Sequence, residues 1–332
     1  MPRREQVGHG KFIESMGATI TQASDHDLGI TRVDLAELLA MRARAAKPVA
    51  QRARSPLTGG HASALRGRGM DYAESRIYEP GDDARNIDWR RTARSGKWLT
   101  KLFEAEREHG LLLLVDTHAT MRFGTRRRYK SVAAARAAAW IAWTCVRASD
   151  RIGAMAFGAV RSAVDPHAGT RGALAVLGAL ARWDESAQQD AGSAEPLSAA
   201  LARAQRLVTP GSRAWLLSDG WCTDDGAVQA LRRLARHADL RVAIVVDALE
   251  REPARAGTCV FETASGKPGR GRFVVDLGGA ESRAQFGDRM SQGRRRLADA
   301  CDKATVPWVL FATTDEPDIV VAPAWRRRTR RS

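Results

Sequence analysis

From Gly110 onward, near-continuous apolar runs alternate with helix-periodic ones. "GLLLLVD", "RIGAMAFG", "RAWLLSD" and "LRVAIVVD" read as strands, and helical segments fall near residues 130–148, 171–183, 196–208 and 225–238. "TVPWVLFAT" closes the series as a final strand. Strands that are apolar on both faces belong to a sheet covered by helices on both sides, and the β–α alternation makes that sheet mostly parallel. The expected fold is therefore α/β. Asp116, Asp219 and Asp247 end three of these strands. Ligands of such sheets gather beyond the carboxyl ends of the strands, so any chemistry is expected there.

The preceding residues follow a different grammar. Residues 1–30 are polar and aperiodic and are expected to be mobile. Thr31 and Asp34 resemble a capping box opening a helix, "VDLAELLAMRARA", that stops before Pro48. The Gly- and Pro-containing stretch from Ser55 to His109 rules out one long helix and suggests small strands. Four segments follow: a flexible 1–30, a helix plus loop- and β-rich region at 31–110, the α/β domain at 111–315, and a basic tail at 316–332.

Composition adds constraints. Hydrophobic residues at 44% and charged residues at 27% suit a soluble globular protein. Lys and Arg outnumber Asp and Glu by 53 to 38, giving +15. The excess lies in runs such as "RARAAKPVAQRAR", "TRRRYK", "GRRRLAD" and "AWRRRTRRS". Such charge invites phosphate contacts with nucleic acid or an anionic membrane. No recognisable RNA- or DNA-binding motif accompanies it, so no specific nucleic-acid partner is expected and most of the arginine belongs on solvated faces. Cys145, Cys222, Cys259 and Cys301 form no C-x-x-C pair, which excludes a zinc ribbon. The most apolar segment, Ala137–Val146, is half the ~20 residues a bilayer span needs and reads as a buried helix, with Trp140 and Trp143 in the core. The first residues lack a signal-peptide pattern. The expected compartment is the cytoplasm, with peripheral membrane contact left open.

Familiar catalytic motifs are missing from the sequence. "RSGKW" puts Trp98 where a phosphate-binding loop needs a hydroxyl. Leu216 replaces the first glycine of a nucleophile elbow around Ser218, and H-E-x-x-H does not occur.

Two sets of residues carry a resemblance. The first is "RIYEPGDDARNIDWRRTAR", with Arg76, Tyr78, Gly81, Asp82, Asp83, Arg85, Ile87, Asp88, Trp89, Ala93 and Arg94 at fixed spacing. This pattern resembles the signature of the bacterial family called "domain of unknown function fifty-eight". The second is the α/β portion, which resembles a von Willebrand A-like domain, as it does in that family. Together they cover roughly residues 55–315. Read from its own residues, the first segment is a Pro-Gly turn with Asp82, Asp83 and Asp88 among several arginines and Trp89 packed beneath. A structural clamp and a partner-docking surface both fit it. A general-acid pair fits less well, because the arginines would depress the carboxyl pKa values.

The resemblance implies a metal site as well. In von Willebrand A domains, Asp-x-Ser-x-Ser after the first strand, a central-loop Thr and an Asp after the fourth strand hold Mg²⁺ through oxygen ligands. The corresponding residues here are Asp116, His118 and Thr120, then Glu195, then Asp219. Imidazole suits transition metals better than Mg²⁺, so the site is degenerate. It can be empty, hold Mg²⁺ weakly through Asp116, Thr120 and Asp219, or take another divalent metal through His118. The resemblance further implies partnership with a MoxR-type AAA+ ATPase and with other von Willebrand A proteins. The expected function is a non-enzymatic adaptor in chaperone-like assembly or maturation. A metal-dependent hydrolase and a basic nucleic-acid binder are the alternatives.

Overall fold

The computed structural model describes residues 18–20, 30–45, 70–79, 86–105, 110–147, 150–189, 195–251, 256–263 and 272–326. The first elements are β1 (Ala18–Ile20), α1 (Leu35–Ala45), β2 (Met70–Ile77), α2 (Trp89–Ser95) and β3 (Leu99–Ala105). Next come β4 (Gly110–Asp116), α3 (Lys130–Arg147), β5 (Arg151–Phe157), β6 (Ser162–Ala168), α4 (Gly169–Gln189), α5 (Leu197–Gln205) and β7 (Ser212–Ser218). The chain continues with α6 (Ala227–His237), β8 (Ala238–Val246), α7 (Ala248–Arg251), β9 (Thr258–Thr263) and β10 (Arg272–Asp276). It closes with α8 (Ala280–Met290), α9 (Gln292–Ala304), β11 (Trp308–Ala312) and α10 (Pro317–Arg326).

The main sheet has six strands in the order β11-β8-β7-β4-β5-β6. All neighbours are parallel except β6, which runs antiparallel to β5 at the edge. Alternation along β4 divides the core into two layers. Leu111, Leu113 and Val115 pack with residues of α1, α3, α4 and α10. Leu112 and Leu114 pack on the other face with residues of α5, α6 and α9. Each strand of the interior is covered on both sides, as continuous apolar runs require. The strand order reverses between β4 and β7, and that switch point is where such sheets open a crevice.

The run "AAARAAAWIAW" in α3 is buried nearly all round, because the sheet lies on one side and α1 and α4 on the other. Small alanine side chains let these layers approach closely. Trp143 Nε1 donates to the Leu38 carbonyl at 3.0 Å, tying α1 to α3. Asp34, rather than Thr31, caps α1: its carboxylate accepts from the Ala36 amide at 2.9 Å.

A smaller lobe sits beyond the carboxyl edge of the sheet. β1, β9 and β10 form an antiparallel three-stranded sheet. Cys259, Leu277, Phe286 and Met290 pack there with Phe123 and Trp221, which belong to loops after β4 and β7. The sequence pattern gave no sign of this lobe.

The chain divides into two compact units, Gln51–Glu108 and the remainder. The expected segment 31–110 ends close to Glu108, but its start at 31 moves to Gln51, because α1 packs in the α/β unit. The tail boundary at 316 also moves. Glu316 bonds to Arg128 at 3.2 Å and to Arg136 and Arg44 at 2.6 Å, and Val321 of α10 is fully buried. Residues 316–326 therefore belong to the body. Most of the expected mobile segment 1–30 lies outside the described residues, but Ala18–Ile20 forms a strand.

The smaller unit contains the antiparallel pair β2–β3 and the short helix α2. Asp88 caps α2 by accepting from the Arg91 amide at 3.2 Å. The expectation that Trp89 packs beneath a charge network is corrected: its side chain is 61% exposed and meets Trp98 edge-on at 5.8 Å. Tyr78 adjoins Trp98 at 6.3 Å, and Arg94 is exposed. Gly81, Asp82, Asp83 and Arg85 lie outside the described residues, as does the Arg76 side chain.

Candidate functional site

At the switch point, β4 delivers Asp116 and β7 delivers Ser218 and Asp219 to one rim. Ser218 Oγ donates to Asp116 Oδ2 at 2.5 Å and accepts from the Gly220 amide at 3.0 Å. Asp116 Oδ1 accepts from the His118 amide at 2.9 Å and faces His118 Nδ1 at 2.7 Å. Thr117 pins the loop, donating to the Phe157 carbonyl at 2.7 Å and accepting from the Val160 amide at 3.0 Å. His118 lies flush against Gly158, whose φ is +100° and whose missing Cβ would stand 2.6 Å from Nδ1. Glycine is needed there on both counts.

Burial disfavours the ionised form of Asp116, but the His118 ring and hydrogen bonds from His118 and Ser218 outweigh it and lower the carboxyl pKa. Burial likewise disfavours the imidazolium of His118. The Asp116 carboxylate overcomes it, helped by Asp219, and raises the ring to about 9. His118 Nε2 and Thr120 Oγ1 are buried, and neither has a hydrogen-bond partner of ordinary geometry. The Glu195 carbonyl adds to the preference for a protonated ring without satisfying Nε2.

Asp219 is committed elsewhere. Its Oδ2 accepts from Lys130 Nζ at 2.7 Å, and the same ammonium donates to Glu250 Oε1 at 2.8 Å. Lys130 is fully buried at the first turn of α3, with Nζ 5.5 Å from the Phe123 ring centroid. Burial would strip its proton, but two carboxylates hold it and move the pKa upward. Burial pushes the Glu250 carboxyl up even against the Lys130 charge, because the two acids share one cation. Glu250 Oε2 also accepts from the Asp247 amide at 2.8 Å. Asp247 in turn accepts from Thr125 Oγ1 at 2.5 Å and Thr313 Oγ1 at 2.9 Å. The third strand-end carboxylate is thus a loop fastener.

Of the metal ligands expected from the sequence, Asp116, His118 and Thr120 share one turn, and Asp219 ends the neighbouring strand. Glu195 does not join them as a free donor. Its carboxylate takes Arg203 Nε at 2.9 Å, Arg203 Nη2 at 3.0 Å and the Gly158 amide at 3.2 Å. Sequence reasoning missed Lys130, Ser218, Glu250 and Cys222. Lys130 looked like one more residue of a basic run. Cys222 gave a faint signal, three residues beyond Asp219 in "SDGWC". Its Sγ lies 3.6 Å from Asp116 Oδ2, and burial with the nearby Asp116 and Asp219 charges pushes the thiol well above its ordinary pKa.

The strand order and the switch-point loops define a mixed α/β protein with a mostly parallel sheet flanked by helices. Its rim holds ionised side chains in a largely buried hydrogen-bond network. The chain belongs to the family described as "Protein of unknown function DUF58", whose model matches residues 74–296. It is 30% identical over 217 residues to "Uncharacterized protein Rv1480" of Mycobacterium tuberculosis, covering 65% of this chain and 67% of that one. The same figures hold for "Uncharacterized protein Mb1516" of Mycobacterium bovis. Among solved structures, the conserved hypothetical protein BatB from Bacteroides thetaiotaomicron aligns with a TM-score of 0.34 at 15% identity, covering 59% of this chain and 97% of that one. An aerotolerance-related membrane protein from Bacteroides fragilis aligns with a TM-score of 0.34 at 16% identity, covering 59% and 98%. Similarity at that level carries no weight for function. Among the described residues, no helix is long and apolar enough to cross a membrane.

Proposed function

We propose that this chain is a non-enzymatic adaptor that presents the switch-point rim to a protein partner. In keeping with the family resemblance, the partner is a MoxR-type AAA+ ATPase, with other von Willebrand A proteins as further contacts. The setting is the cytoplasm, and the role is chaperone-like assembly or maturation.

One observation carries the reading: the rim's reactive groups are bonded so as to neutralise one another. The Ser218 hydroxyl points its proton at Asp116 rather than at an imidazole, and that carboxylate, held below its ordinary pKa, is a weak base. Lys130 is shared between Asp219 and Glu250 and keeps its proton. A general acid or base works best with a pKa near the working pH, and here the Asp116 carboxyl is held below its ordinary value and the Lys130 ammonium above its own. What remains accessible is a rim surface at Ala119–Thr120, Ala159–Arg161 and Trp221–Asp225. The Lys130 ammonium also takes over the neutralisation of Asp219 that a hard cation supplies in an ordinary adhesion site of this type, so the contact is expected to survive without Mg²⁺.

The test is co-purification of the tagged chain with a MoxR-type ATPase from its own cells, with and without Mg²⁺. The ATPase should co-elute in both conditions. It should be lost from a variant carrying Ala119→Glu and Asp225→Arg, two exposed rim positions, with an unchanged melting temperature. A chain that elutes alone, or a capture indifferent to these substitutions, contradicts the proposal.

A further inference from the structure

Three donors of different chemistry meet at the rim. Among the described residues, Asp116, His118 and Cys222 place an oxygen, a ring nitrogen and a sulfur within 4.8 Å of one another. We propose that they form a site for a borderline-soft divalent cation of the Zn²⁺ class, distinct in ligands from the Mg²⁺-type site of the resemblance. The inference is independent of the adaptor reading.

Geometry supports it first. Across a tetrahedral zinc with Zn–S and Zn–O bonds of ordinary length, sulfur and oxygen stand about 3.5 Å apart. Cys222 Sγ and Asp116 Oδ2 are 3.6 Å apart, already at that spacing. His118 Nδ1 lies 2.7 Å from Asp116 Oδ1, a hydrogen-bond spacing that lengthens when the nitrogen gives up its proton and takes a cation instead. The donors come from the loops after β4 and β7, each held by its own backbone contacts, Thr117 to Phe157 in the first and Leu197 N to the Cys222 carbonyl in the second.

Two buried polar atoms at this spot lack partners. His118 Nε2 and Thr120 Oγ1 are enclosed, and neither has a hydrogen-bond partner of ordinary geometry, which protein interiors ordinarily avoid. A water on the bound cation gives Thr120 Oγ1 a partner, and ligation through Nδ1 leaves the ring proton on Nε2, where the Glu195 carbonyl favours it.

Donor chemistry decides which cation. Mg²⁺ asks for an octahedron of hard oxygens. Here Asp219 is tied to Lys130 and Glu195 to Arg203, leaving Asp116 and Thr120 as the only rim oxygens from the expected ligand set. Nitrogen and thiolate ligands favour Zn²⁺, which needs four. Ionised Asp116 and a Cys222 thiolate balance the double positive charge; the thiol proton and the Nδ1 proton of the His118 ring both leave to solvent as sulfur and nitrogen bind. The fourth position remains for water or a carboxylate.

The experiment titrates the purified full-length chain with Co²⁺, then displaces it with Zn²⁺. The expected result is the near-ultraviolet thiolate-to-cobalt band with strong visible bands of a four-coordinate ion. Cys222→Ser should abolish the thiolate band, and His118→Ala should weaken binding beyond the 10- to 100-fold typical of outer-sphere changes, or about 100-fold or more. Glu195→Gln should leave binding intact. X-ray absorption of the zinc-loaded wild type should find one sulfur in the first shell, which holds the test open if a variant fails to fold. A folded wild type with no thiolate band, a band that persists in Cys222→Ser, or a first shell without sulfur overturns the proposal.

Discussion

Lys130 shows how much a single side chain decides. In the sequence it closes "TRRRYK" and looks like a solvated charge at a helix start. In the fold it is entirely enclosed and serves two buried carboxylates. Removing one partner of a buried pair leaves uncompensated charge, which costs about 3–5 kcal/mol. Lys130→Met should therefore lower the unfolding free energy by that order in urea titration, and adding Asp219→Asn with Glu250→Gln should restore much of it. A loss below about 1 kcal/mol, the worth of an exposed pair, would show that Lys130 is solvated. Asp116 and Asp219 were legible from the strand-then-Asp pattern. Their neighbours Ser218 and Cys222 were in plain view too, but nothing in a linear string says which hydroxyl or thiol will point at which carboxylate.

At the scale of elements, Glu316 fastens three helices. It binds Arg44 of α1, Arg136 of α3 and Arg128 just before α3, and its own position precedes α10. Glu37 of α1 adds a second carboxylate to Arg136. Burial opposes ionisation of Glu316, but Arg136 and Arg128 outweigh it and hold the carboxyl below its usual value. A depressed folded pKa contributes stability that is present above the unfolded value and lost as pH falls through the folded one. Urea midpoints of the wild type should therefore decline as pH drops below about 4.5, the ordinary value of this carboxyl. Glu316→Gln should be less stable by about 1 kcal/mol at neutral pH, because the carboxylate is partly exposed and its pairs are screened by solvent, and should show a shallower acid slope. Equal slopes for the two proteins would remove Glu316 from the clamp. The helices themselves were readable from periodicity. The pairing of residue 316 with residue 136 was not, because it depends on α10 folding back over α3.

Over the whole molecule, two units of unequal substance emerge. The α/β unit has a six-stranded sheet with core on both faces, whereas the described residues of the Gln51–Glu108 unit form a two-stranded pair and a short helix, with Trp89 and Trp98 exposed. Two strands alone are marginal in water. Native-state hydrogen exchange should show amides of β2 and β3 opening on the order of 100-fold faster than those of β4 and β7. Matched protection would mean the two units unfold together. The formal charge of +15 also looks different at this scale. Lys130, Arg128, Arg136 and Arg203 are spent on internal carboxylates, so composition overstates the surface available to phosphate.

The sequence by itself determined the layered α/β core and the ends of its strands. A strand buried on both faces must be apolar throughout, and a helix that covers it must repeat its apolar positions with its turn; both are local patterns. It also carried the family signature, whose residues recur at fixed spacing. Tertiary structure alone decided that an ammonium from α3 neutralises Asp219, that Arg203 claims Glu195, and that Cys222 comes to rest beside Asp116. Charge pairing inside a protein is settled by distance and burial, and residues 89 or 106 positions apart in the chain become neighbours only when the sheet has formed.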